Sequence, residues 1–216
     1  MKKLLSVLIL LSTTSAFGQN HLIGIKSGIS LTNVSADDFF DGDDYRAGFT
    51  GGLTYEYEFS KKFHFGVDLL YAQKGFKSDV TFTDAIGSVV KDKESIKFNY
   101  NYLSLPVKGG FSMGNRLAAF LNLGLVPSLL ADAKTITPTI GTVEEETYNI
   151  SDRVTRFDFG GLVEIGGNYQ LNDKLAMLAS FAYQQSFTTI TNKDYFNNSK
   201  ARHFGMTLSI GLKYAL

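Results

Sequence analysis

The sequence predicts an all-β protein, an eight-stranded antiparallel up-and-down transmembrane β-barrel. Three observations predict it. Apolar and polar residues alternate through eight separate segments, and a period of two places one set of side chains on each face of a strand. The connections alternate between short and long, as in barrels with tight periplasmic turns and longer extracellular loops. The chain also opens with a tripartite export leader.

Composition narrows the classes further. The 216 residues carry 21 Lys+Arg against 21 Asp+Glu, no cysteine and no tryptophan, but 21 glycines, 18 phenylalanines and 11 tyrosines. Barrels of this length commonly form a single unit. Balanced charge without a basic block argues against a nucleic-acid partner. The lack of cysteine removes disulfides, thiolate zinc sites and thiol nucleophiles. A mean hydropathy of -0.01 is not that of a helical membrane protein.

Residues 1–18 read as a signal peptide and 19–216 as the barrel domain. Lys2 and Lys3 form the positive region, Leu4 to Leu11 the apolar region, and Ala16-Phe17-Gly18 a small-x-small cleavage site before Gln19. An uncleaved anchor would need a polar stop-transfer flank, and none follows. Removing the leader leaves 19 basic and 21 acidic side chains. No later stretch reaches the roughly 18 apolar residues of a transmembrane helix.

The first strand starts near His21. The second, from Tyr45 to Phe59, has Phe49, Leu53 and Tyr55 on one face and Arg46, Thr54, Glu56 and Glu58 on the other. The third, from Phe63, opposes His64, Gly66 and Asp68 to Phe65 and Leu69. The fourth, from about Ile96, reads as a phase slip: Phe98, Tyr100 and Tyr102 share one parity, Leu103, Leu105 and Val107 the other. A β-bulge near Tyr102 or Leu103 is expected to reconcile them, with Pro106 adding local irregularity. The fifth starts near Leu117, the sixth near Thr155, the seventh near Leu175 with a small inner face, and the eighth near Ala201. Short turns are expected at 60–62, 113–116 and 170–174, and long loops at about 32–44, 77–95, 132–154 and 188–200.

Periodicity does not say which face meets lipid. The polar faces carry paired charges, Lys26, Arg46, Glu56, Glu58, Asp68, Lys74, Lys108, Arg156, Asp158, Glu164 and Lys213, and many glycines. That set suits a narrow, cross-linked lumen. Aromatics gather at one set of strand ends, among them Tyr55, Tyr57, Phe59, Phe63, Phe65, Phe111, Tyr169 and Tyr214, like an interfacial girdle. The chain ends on an alternating apolar strand, as outer-membrane strands do. The membrane orientation is therefore favoured over a soluble lipocalin-like barrel. Eight strands leave a lumen just wide enough to be filled by side chains or to hold one small ligand. Diffusive passage of solutes is not expected.

Ile23-Gly24-Ile25-Lys26-Ser27-Gly28, Tyr71-Ala72-Gln73-Lys74-Gly75, Asn101-Tyr102-Leu103-Ser104-Leu105-Pro106-Val107-Lys108 and the stretch from Leu123 to Leu130 resemble the outer-membrane β-barrel domain family, whose members include porin-family and PorT-like proteins. The resemblance covers the mature chain. It implies an eight-stranded outer-membrane barrel, mostly without an assigned activity.

The expected role is structural or interactive, an outer-membrane protein presenting four long surface loops. A barrel that binds or transports a small ligand is the alternative, and a lipid-modifying enzyme a lesser one. Expected partners are outer-membrane lipid, the barrel-assembly machinery during insertion and an envelope protein whose identity the sequence does not give. No cofactor and no catalytic residue is assigned. Only His21, His64 and His203 could act as bases; His64 and His203 fall at opposite strand ends, too far apart for a shared metal. His203, with Asp194 and several hydroxyls nearby in sequence, has no supporting motif. The loop residues Asp37, Asp38, Asp41, Asp43 and Asp44 are weak Ca²⁺ candidates because hard cations prefer carboxylates. Their spacing does not match a calcium loop, and a solvated acidic loop is the favoured reading, as it is for Glu144 to Glu146.

Overall fold

The computed structural model describes residues 21–36, 44–83, 86, 89–139, 144–192 and 200–216. Ten strands follow one another: β1 (His21–Ala36), β2 (Asp44–Glu58), β3 (Phe63–Thr83), β4 (Val89–Ser104), β5 (Val107–Gly114), β6 (Leu117–Thr137), β7 (Glu146–Asn149), β8 (Phe157–Gln170), β9 (Leu175–Ser186) and β10 (Ala201–Ala215). Every pairing is antiparallel, and β1 bonds both β2 and β10, so the sheet closes. The ring has eight positions because β4 and β5 stack end to end between β3 and β6, while short β7 pairs only with β6. Closure leaves no edge whose backbone groups would have to meet lipid unpaired.

The register fixes the size of the cylinder. Partners followed around the ring from Ile23 through Tyr55, Val67, Val107, Leu125, Gly161, Gln185 and Phe204 return to β1 at Asn33, ten residues further on. Ten residues of about 3.3 Å rise, across strands about 4.8 Å apart, give a tilt of about 41° and a backbone radius of about 8 Å. The outward row of β6 from Leu117 to Leu129 is apolar throughout. Its twelve steps cover about 40 Å along the strand and about 30 Å along the axis, enough for the ~25 Å lipid-facing band.

The girdle aromatics lie outside, exposed, at the end that carries the tight turns and both ends of the described chain. Phe63 meets Phe111 edge-on at 5.4 Å, Arg116 sits 5.4 Å over Tyr169, and Lys174 sits 5.6 Å over Tyr214.

The fourth position differs from expectation. Parity does not reverse at Tyr102 or Leu103: Tyr100, Tyr102, Ser104 and Lys108 all face inward and are buried, while Leu103 and Leu105 face out. The bulge lies in the partner strand instead. Asn101 opposes Asp132 but Tyr102 opposes Leu130, which leaves Ala131 of β6 as the extra residue. Above the lipid band the lumen is closed by an apolar cluster, so aromatic residues there face inward. Lipid and a buried core select the same residue types, so in sequence the strand resembles a phase slip. Pro106 does divide β4 from β5, yet the ladder continues: Asp68 N donates to Pro106 O and Leu105 N to Pro127 O, both at 2.9 Å.

The long connections are also more ordered than expected. β1 runs to Ala36, and β3 and β4 extend as a hairpin far into 77–95. In 132–154, β6 continues to Thr137, β7 pairs back on it, and Ser151–Arg153 makes a 3₁₀ turn. Val154 bridges to Thr191, and Thr155 N donates to Ile190 O, so the last two connections are strapped together.

Candidate functional site

The inward faces of the strands build a lumen in layers. In the central layer Lys26 of β1 lies 3.3 Å from Asp68 of β3 and 2.6 Å from Glu164 of β8. Lys108 of β5 lies 2.8 Å from the same Asp68 and 2.9 Å from the same Glu164. These four alternate in sign, so each charge has two opposite neighbours. Nearer the end that carries the tight turns, Lys213 of β10 pairs with Glu56 of β2 at 2.7 Å. Nearer the end that carries the long connections, Lys74 of β3 pairs with Asp158 of β8 at 2.8 Å. Asp158 also accepts from Ser186 at 2.9 Å and Thr188 at 3.1 Å. Four lysines and four carboxylates are thus buried in balance among the described residues, which is the condition for ionised side chains to persist away from bulk water.

A cavity of about 60 Å³ separates the central layer from Lys74, with Ser104, Gln184, His203 and Ser209 in its wall. It has room for a few waters. Above it sits the apolar cap, centred on Tyr102, which is 0 % exposed, with Val34, Phe76, Tyr100, Val154 and Ile190 around it. The His203 ring meets Tyr100 and Tyr102 edge-on at 5.0 and 5.9 Å, and Lys74 lies 5.1 Å over the Tyr102 ring.

Not all the charges read from the sequence enter this network. Arg46 is half-buried and donates to the Lys74 carbonyl at 3.3 Å. Glu58 is at the rim of the tight-turn end, at the last residue of β2. Arg156 is not in the lumen: it is exposed and lies 3.8 Å from Asp152. It precedes the first residue of β8, beyond the point where the wall imposes an inward direction. Of the aspartates weighed for Ca²⁺, Asp37, Asp38, Asp41 and Asp43 lie outside the described residues, and Asp44 is exposed, 3.6 Å from Lys77. Among the described residues no cluster of histidine and carboxylate side chains could hold a metal ion.

The three histidines stand apart. His21 bonds the Tyr55 hydroxyl at 2.7 Å near the rim, and His203 belongs to the cap. His64 has a setting that composition did not suggest. Glu164, Asn122, Gly110 and His64 oppose one another across four adjacent strands. Gly110 has no Cβ, which at that point would collide with both the His64 ring and the Asn122 amide. The imidazole therefore reaches across the whole of β5 to Asn122 at 2.7 Å, while its other nitrogen meets Ser112 at 3.1 Å. Ser112 and Asn122 are 48 and 58 positions from His64, so only the strand register could have found them.

Comparison with known proteins agrees with this architecture. No curated protein sequence matches the chain. A solved major outer membrane protein from Thermus thermophilus is similar over 91% of this chain and 99% of that one, at 9% identity and a TM-score of 0.52. The Neisserial surface protein A (NspA) is similar over 90% of this chain and 97% of that one, at 13% identity and a TM-score of 0.50. At such identities the likeness concerns the fold alone. The sequence profile described as the outer membrane protein beta-barrel domain matches residues 17–192, most of the chain. The chain belongs to the outer membrane protein β-barrel domain family.

Proposed function

We propose that this barrel has a structural or interaction role in the outer membrane, presenting its four extracellular connections to a partner, and is not an open diffusion pore. The observation that carries this reading is the filled lumen. A charge-balanced ionic core lies beneath a cap with Tyr102 at 0 % exposure, and an ion crossing it would have to displace buried pairs. A lumenal ligand is the second reading, and the cavity of about 60 Å³ limits it to something the size of a few waters. On this proposal residues 1–18 are removed on export, the barrel-assembly machinery inserts the mature chain, and the apolar band meets outer-membrane lipid.

Planar-bilayer recordings on the refolded, heat-modifiable protein test the central claim. The expected result is no sustained conductance. A stable open channel would overturn it. Cross-linking from intact outer membranes, followed by mass spectrometry, would then identify the partner held by the extracellular connections.

A further inference from the structure

We infer that Ser112 is an activated nucleophile at the periplasmic mouth of the lumen, with His64 as its base, and that the group it attacks is a carboxylic ester. Hydrogen-bond direction carries this. Glu164, buried between two lysines, is a carboxylate that accepts only, so Asn122 turns its Nδ2 to it at 2.9 Å. The Asn122 Oδ1 then faces His64 Nε2 at 2.7 Å and can only accept. The proton of the neutral ring is thereby held on Nε2, and Nδ1 keeps a lone pair. That lone pair faces Ser112 Oγ at 3.1 Å, which donates to it. Nucleophile, base and an orienting group in hydrogen-bond sequence are the arrangement that acyl-transfer sites require.

The surroundings suit the task. His64 is 4 % exposed and its ring is held edge-on to Phe120, whereas Ser112 is only partly buried, two residues before the end of β5. On the other side of this layer Glu56, paired with Lys213 at 2.7 Å, lies 4.0 Å from His64 Nε2, and its negative charge favours the proton on that nitrogen. In the reaction, Ser112 Oγ bonds to the ester carbonyl carbon as its proton passes to His64 Nδ1. The C–O bond to the alcohol breaks, and the alcohol leaves with that proton. Water, deprotonated by the same nitrogen, then releases the acid and restores the serine.

Reaction with an alkyl fluorophosphonate tests the idea on the folded barrel in detergent. There Oγ bonds to phosphorus, the P–F bond breaks, fluoride leaves and the proton stays on His64. Peptide mass spectrometry is expected to find the adduct on Ser112, none at that peptide in Ser112→Ala, and a rate at least about 100-fold lower in His64→Gln, the scale of a lost general base. The same full-length chain, heat-unfolded before labelling, is expected to lose the adduct, which makes the test independent of how any variant folds. Absence of an adduct on the folded protein, or equal labelling of folded and unfolded chains, would overturn the inference.

Discussion

Neutralising Glu164 is the sharpest probe of the lumen. It is 1 % exposed and accepts from Lys26 at 2.6 Å, Lys108 at 2.9 Å and Asn122 at 2.9 Å. In Glu164→Gln the two ammonium groups keep their positions but share Asp68 alone, so one positive charge is left uncompensated inside the barrel. Breaking a buried pair in this way costs about 3–5 kcal/mol, or two to four decades in the folding equilibrium. The exposed pair of Asp44 and Lys77, 3.6 Å apart with Asp44 61 % exposed, is the control: Asp44→Asn is expected to cost less than about 1 kcal/mol. Urea titration of the fast-migrating folded form on unheated gels measures both. Adding Lys26→Met to Glu164→Gln restores the charge balance, and the double variant is expected to regain at least about 1 kcal/mol over the single one by coupling of neighbouring sites. If Glu164→Gln falls within the range of the control, or if the two lumen substitutions simply add, the lumen is wetter than its layered ion pairs allow and the charge-balance account is wrong.

Other outcomes follow from the same geometry. Leu123→Arg, at the middle of the β6 outward row with Leu123 60 % exposed, is expected to cost about 2–4 kcal/mol in a bilayer; a neutral effect in lipid vesicles would contradict the orientation of the faces. Tyr102→Ala is expected to lose about 3–5 kcal/mol by emptying the centre of the cap and still to give no conductance, because the ionic layers beneath remain; a steady current from that variant would show that the cap alone closes the lumen. Gly75 has φ +156°, and its backbone exchanges hydrogen bonds of 2.8 and 2.9 Å with the Thr32 hydroxyl. Gly75→Ala is therefore expected to cost about 1–3 kcal/mol in the same urea assay, and no change in midpoint would refute the strain. Titration calorimetry with Ca²⁺ is expected to give no binding heat, in keeping with an acidic loop that is merely solvated; a saturable heat lost in Asp44→Asn would reverse that reading.

Much of the wall was legible because alternation is a local property. The inward rows of β2, β3, β8 and β10 could be read residue by residue, since within the band lipid accepts one face and rejects the other. The fourth strand shows where that reading stops. Phe98, Tyr100 and Tyr102 carry the same apolar signature as lipid-facing residues, but they stand above the band, where inward is the dry side. The lumen was legible as a set of charges but not as pairs. Parity groups Arg156 with them, but its place one residue ahead of β8 leaves it outside. The Ser112, His64 and Asn122 relay had no local signal, because its members sit on three strands and meet only through the absent Cβ of Gly110.

Period-two patterning and turn chemistry act within a few residues, so the strands, their two faces and their approximate order were already written in the chain. The ten-residue stagger set the tilt and radius, and with them which lysine reaches which carboxylate. Only closure of the sheet decided that Lys26 and Lys108 share Asp68 and Glu164 and that the upper aromatics turn inward as a cap. These contacts cross the barrel between side chains far apart in sequence, and their distances exist only once the last strand has met the first.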